Sequence, residues 1–137
     1  MSLPFQSSIG FTAGGTVASS TTAWYGYEDV FISCSVDLIN ITIIIVVQKT
    51  VNATFRGAIN TFWSGVLNDT YIDTGSQIIY TWTINSGQTI QSTGAGSSYK
   101  VEAQFYLYGI NQTTSADTFQ VSATTINGST NTISGTF

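Results

Sequence analysis

The residues of this chain best equipped for chemistry are its aromatic rings. Trp24 and Tyr25 sit in the polar stretch Thr21-Thr22-Ala23-Trp24-Tyr25-Gly26-Tyr27, and Trp63 sits in Asn60-Thr61-Phe62-Trp63-Ser64-Gly65. Tyr106 and Tyr108 fall on the polar face of an alternating segment. The C–H faces of a sugar stack on such rings, while its hydroxyls hydrogen-bond to amides and carboxylates. Asn60, Glu102 and Gln104 are therefore the hydrogen-bonding candidates beside them. A large ring left in water on a small domain marks a partner surface. Trp82 differs: it shares parity with Ile78, Tyr80 and Ile84, which places it in the core.

Reactive side chains are scarce. The 137 residues include no His, one Cys, three basic and seven acidic residues. A proton shuttle, an activated nucleophile or a metal cage needs more than this, so the expectation is a protein that is not an enzyme. Glycoside hydrolysis needs two facing carboxyls; Glu28 and Asp29 are adjacent and point to opposite faces of a strand, and nothing marks Asp69 and Asp73 as a tuned pair. Asp69, Asp73 and Asp117 at strand ends are candidate calcium ligands, calcium being the one cofactor such oxygen donors suggest. Cys34 alternates with Val30, Ile32 and Val36, which reads as a small buried hydrophobe without a disulfide partner. With only Lys49, Arg56 and Lys100 basic and a net charge of −4, the chain lacks the basic stripe that nucleic acid requires.

The elements that must position the rings are strands. Runs of 5–10 residues of Val, Ile, Thr, Tyr and Phe recur, punctuated by Gly, Asn, Asp and Ser, which predicts an all-β antiparallel sandwich of the Ig-like or jelly-roll type. About nine to ten strands are expected, near 5–12, 15–20, 28–37, 40–48, 53–59, 68–73, 77–84, 98–108, 116–126 and 129–137, in one domain over 1–137. Residues Asn40 to Gln48 are apolar on both faces and predict a central strand covered on both sides. In 99–108, Val101, Ala103, Phe105 and Leu107 face the core. At Asn127-Gly128 a two-residue turn would throw Ile133 and Phe137 to the wrong face. A three-residue loop with Gly128 in the left-handed region aligns them with Val121 and Phe119, and is preferred. Gly14-Gly15 and Gly94-Ala95-Gly96 read as flexible turns.

No run reaches the ~18 apolar residues of a membrane helix, and no signal peptide is visible at the N-terminus. The charge-poor, Asn/Thr-rich surface reads as that of a mature extracellular protein. Five sequons begin at Asn40, Asn52, Asn68, Asn111 and Asn127. Asn40 enters a buried-looking strand, which leaves Asn52, Asn68, Asn111 and Asn127 as glycosylation candidates.

The succession Ala23 to Val30, Ile41 to Lys49, Asn60 to Gly65, Ala103-Gln104-Phe105, Thr114 to Phe119 and Ser134-Gly135-Thr136-Phe137 resembles small β-sandwich carbohydrate-binding modules, of the cellulose-binding kind, attached to secreted plant-wall-degrading proteins. That resemblance implies non-catalytic binding of polysaccharide of the β-glucan type. One alternative is a structural subunit of an extracellular filament or adhesin that self-assembles. The alternating segment Phe5 to Phe11 would then be a strand donated to a neighbour. A second alternative is an intracellular lectin or membrane-active defence protein.

Overall fold

The computed structural model describes residues 6–8, 10–94 and 96–137, and it is built from strands. In chain order these are β1 (Gln6–Ser8), β2 (Phe11–Val17), β3 (Tyr25–Cys34), β4 (Leu38–Gln48), β5 (Thr54–Asn60), β6 (Leu67–Asp73), β7 (Gln77–Ile84), β8 (Tyr99–Tyr106), β9 (Thr118–Thr125) and β10 (Thr130–Thr136). They form two antiparallel sheets, ordered β1-β2-β3-β8-β5 and β10-β9-β4-β7-β6. Among the described residues no helix is long and apolar enough to cross a membrane. The predicted β-sandwich is the fold observed.

Alternation decides which side of each strand meets the other sheet. Val101, Ala103, Phe105 and Leu107 are buried as predicted. The Asn127-Gly128 hairpin has the predicted geometry. Thr124 pairs with Thr130, which leaves a loop with Gly128 at φ +89°, and Ile133 pairs with Val121. The Phe119 and Phe137 rings then meet edge to face at 5.7 Å. Trp82 is fully buried, its ring stacked on Tyr80. Cys34 is buried; its thiol contacts the Gln91 carbonyl, and burial pushes its pKa up, as expected of an inert thiol.

Three expectations are corrected. The stretch 5–12 is not one strand: the chain turns at Gly10 (φ +92°), and β1 pairs with β2 of the same chain. Phe5, Ile9 and Ala95 lie outside the described residues. Gly14 and Gly15 are no turn but lie inside β2, where the Phe119 and Phe137 rings occupy the space a Gly15 Cβ would need. Strand β4 is central but covered on one face only. Ile41, Ile43, Ile45 and Val47 are fully buried, whereas Thr42, Ile44 and Val46 are half-exposed and Asn40 is exposed beside an irregularity at Leu38/Asn40.

One glycine sets a register. Gly26 pairs with Phe105, and a Cβ on it would lie 2.0 Å from the Phe105 ring. The ring fills the place where that side chain would be. The sheets are also tied through polar groups: the Tyr80 hydroxyl of β7 donates to the Gln104 carbonyl of β8.

The interior also holds acid. Glu28 of β3 faces inward, fully buried, against fully buried Asp117, whose Oδ1 accepts the Gln48 amide at 2.7 Å. Burial first, and then the neighbouring Asp117 carboxyl, raise the Glu28 pKa well above its ordinary value; burial raises that of Asp117 too. Both Glu28 oxygens and Asp117 Oδ2 are buried without a geometric hydrogen-bond partner, so charge on the pair is disfavoured. On the opposite face Asp29 pairs in register with Glu102, and burial followed by the Glu102 hydrogen bond and charge raises it to about 7.

Gly26→Ala must expel the Phe105 ring, and overpacking of that kind costs about 1–3 kcal/mol; urea denaturation would show a lower midpoint with an unchanged slope. The raised carboxyl pKa values give stability that is complete below the unfolded-state values near 4 and is lost as pH rises through the folded ones, about 7 for Asp29. Thermal midpoints should therefore fall from pH 5 to pH 8, and Glu28→Gln should flatten that slope. A pH-independent midpoint over this range contradicts the assignment.

Candidate functional site

Outward-facing residues of β3, β8 and β5 bring most of the predicted rings together. Tyr25 pairs with Tyr106, which pairs in turn with Thr54 of β5. Their rings lie 5.8 Å apart, and Tyr106 lies 5.9 Å from Tyr108. Trp24 is 61% exposed. Its backbone carbonyl accepts from Leu107, and its ring packs over Gly109. Tyr108 and Gly109 form a turn closed by Ile110 N to Leu107 O, with φ +56° and +84°. A tyrosine in the left-handed region is strained. Here it aims the ring outward, where the hydroxyl meets Thr54 Oγ1 at 2.7 Å.

Arg56, which the sequence did not single out, completes this patch. Strand β5 carries an irregularity between Phe55 and Gly57, and Arg56 is the extra residue there. A bulge re-aims a side chain. The guanidinium lies 4.7 Å from the Tyr25 ring centre, 5.4 Å from Tyr27 and 6.0 Å from Tyr106, and it donates to the Tyr27 hydroxyl at 2.7 Å. One charge is thus held against three rings by cation–π attraction.

The remaining candidates lie elsewhere. Gln104 and Glu102 follow on the same face of β8, but Gln104 Nε2 donates to Glu102 Oε1 at 2.8 Å and Glu102 is buried beside Asp29, so both are engaged within the protein. Asn60 ends β5 at its far end, and Trp63, 66% exposed, lies just beyond it. From Thr54 to Asn60 that strand spans about 20 Å at the usual rise. Asn60 Oδ1 accepts from the Phe62 amide and so shapes the Trp63 loop. The candidate calcium ligands do not converge. Asp69 is exposed on β6, Asp73 pairs with Lys49 at 3.1 Å, and Asp117 is sealed between the sheets. Among the described residues no three Cys, Asp or Glu side chains are grouped to hold a metal ion. Asn52, Asn68, Asn111 and Asn127 are exposed, and so, against expectation, is Asn40.

No family model matches the chain, and no curated protein matches it. In solved structures the fold is similar to the cohesin module of a family 33 glycoside hydrolase from Clostridium perfringens, with a TM-score of 0.51 and 6% identity over 90% of this chain and 93% of that one. It is also similar to BcpA, the major pilin subunit of Bacillus cereus, with a TM-score of 0.48 and 10% identity over 90% of this chain and 39% of that one. The chain thus has a β-sandwich fold similar to that of this cohesin module.

Proposed function

We propose that this chain is a non-catalytic assembly module of the extracellular space, a subunit of a filament or adhesin that joins other copies of itself through the Trp24–Tyr25–Tyr106–Tyr108–Arg56 patch. The patch itself carries the reading. Trp, Tyr and Arg are the residues in which protein interfaces concentrate their binding energy. Its one charge is already held by ring faces and a hydroxyl, so covering it leaves no bare ion behind. The rest of the surface is poor in charge, and copies with a net charge of −4 repel one another weakly at physiological salt. Strain at Tyr108 favours a functional role for its ring. Assembly accounts for the patch better than stacking on a flat polysaccharide does. A flat chain needs rings in one plane, whereas Tyr25 and Tyr106 are inclined by 54° and Tyr106 and Tyr108 by 29°. The fully buried acids Glu28 and Asp117 are closed to any substrate, which favours a non-catalytic role.

Sedimentation velocity over a range of concentrations, with negative-stain imaging, tests this. The parent should associate. Tyr108→Gly should not, although its stability should change by less than about 1 kcal/mol, because relief of the left-handed backbone offsets the lost Thr54 contact. Trp24→Ala should act likewise. A parent that stays monomeric at every concentration and gives no ordered assemblies overturns the proposal.

A further inference from the structure

The end of the sandwich opposite the tyrosine patch carries a cleft of about 230 Å³ whose lining includes Phe62, Trp63, Tyr99, Gln88, Thr89 and Gln91. Phe62 and Tyr99 stack at 4.4 Å, nearly parallel, and Trp63 stands beside them with most of its indole in water. Both walls are fixed. On one side Asn60 Oδ1 holds the Phe62 amide, the Trp63 carbonyl accepts from Val66, and Asn85 Nδ2 donates to the Gly65 carbonyl. On the other, Ile90 exchanges two backbone bonds with Leu38, and the Gln91 carbonyl accepts from the Tyr99 hydroxyl at 2.9 Å. So many bonds around an exposed Trp make a preorganised site, which spares a ligand the cost of ordering it.

Its chemistry narrows the ligand. No Asp, Glu, Lys or Arg lines it, so the ligand is neutral. Among the described residues the Gln88, Thr89 and Gln91 side chains make no hydrogen bond to the protein, which leaves two amides and a hydroxyl for a ligand. The backbone of Ile90 is already paired, so an extended peptide finds no strand to join there. The volume lies below the roughly 300 Å³ of a drug-sized pocket and suits one or two rings. We infer that this cleft binds one neutral sugar unit, a pyranose whose C–H face stacks on Trp63 and whose hydroxyls pair with Gln88, Thr89 and Gln91. This site is distinct from the tyrosine patch, and sugar binding here does not depend on assembly there.

The test is calorimetric titration with methyl glycosides of glucose, galactose, mannose, xylose and N-acetylglucosamine, their short oligomers, and a neutral peptide as control. At least one sugar should bind, with an affinity that changes little between low and high salt, because no charge takes part. Trp63→Ala should weaken binding about tenfold or more, Trp63→Phe should recover part of the loss, and Gln91→Ala should weaken it several-fold. Trp24→Ala and Tyr108→Gly should leave it unchanged, which separates this site from the assembly surface. Thermal midpoints of all variants show that the loss is local. The inference is overturned if no sugar binds at millimolar concentration, if Trp63→Ala binds like the parent, or if only the peptide binds.

Discussion

The position of one ring between the sheets governs what the outer face displays. Phe105 lies where a Gly26 side chain would be, and the ring and the missing Cβ together fix how β3 pairs with β8. Side chains alternate across a strand, so a slip by one residue would carry Phe105 into water and bring Tyr106 into the core. With the register fixed, Tyr25 must lie opposite Tyr106, Tyr27 opposite Gln104 and Asp29 opposite Glu102. The patch is thus the reverse side of a packing solution: the same strands that bury Val101, Ala103 and Phe105 must present their other residues outward.

Two local departures from that regularity build the patch further. The irregularity in β5 sets Arg56 over three rings, and the left-handed turn at Tyr108-Gly109 continues the row of tyrosines past the end of β8. Both cost backbone regularity, and both sit at the periphery, where few ladder bonds are lost. The buried acids are a departure of another kind. A carboxyl pair between sheets contributes less than apolar side chains of the same volume would. At Glu28 burial and the facing Asp117 favour the protonated form, which lessens the charge that is buried.

The strands were legible because their signals are local. Period-2 alternation in 99–108 and the Asn127-Gly128 turn depend on neighbours in sequence, and both were read with correct parity. Gly14-Gly15 was misread because the rings that exclude a side chain at Gly15 come from Phe119 and Phe137, over a hundred residues away. The one-sided burial of β4 was hidden for a related reason. Apolar residues on an outer face resemble a buried strand until the sheet order shows that, among the described residues, only one face meets the other sheet. At the candidate site, alternation and polar context pointed to the rings. Arg56 was not readable, since no turn residue announces the irregularity that aims it. The wall formed by Ile90 and Gln91 was equally silent, because a single bridge to Leu38, 52 residues earlier, places it.

The two proposed surfaces would divide the work that the composition permits. A chain with ten charged side chains cannot recognise partners by steering fields, so recognition must come from shape, ring faces and neutral hydrogen bonds. At one end the rings are inclined, crowded and joined by a guanidinium, a texture suited to the uneven surface of a protein. At the other a stacked pair and one free indole stand among amides and a hydroxyl, a texture suited to a small neutral ring. Strands β5 and β8 run between them, so a partner at either end leaves the other end free. A sandwich with antiparallel strands keeps both ends open because its core closes in the middle, where the sheets face each other and Trp82, Tyr80 and Phe105 fill the space.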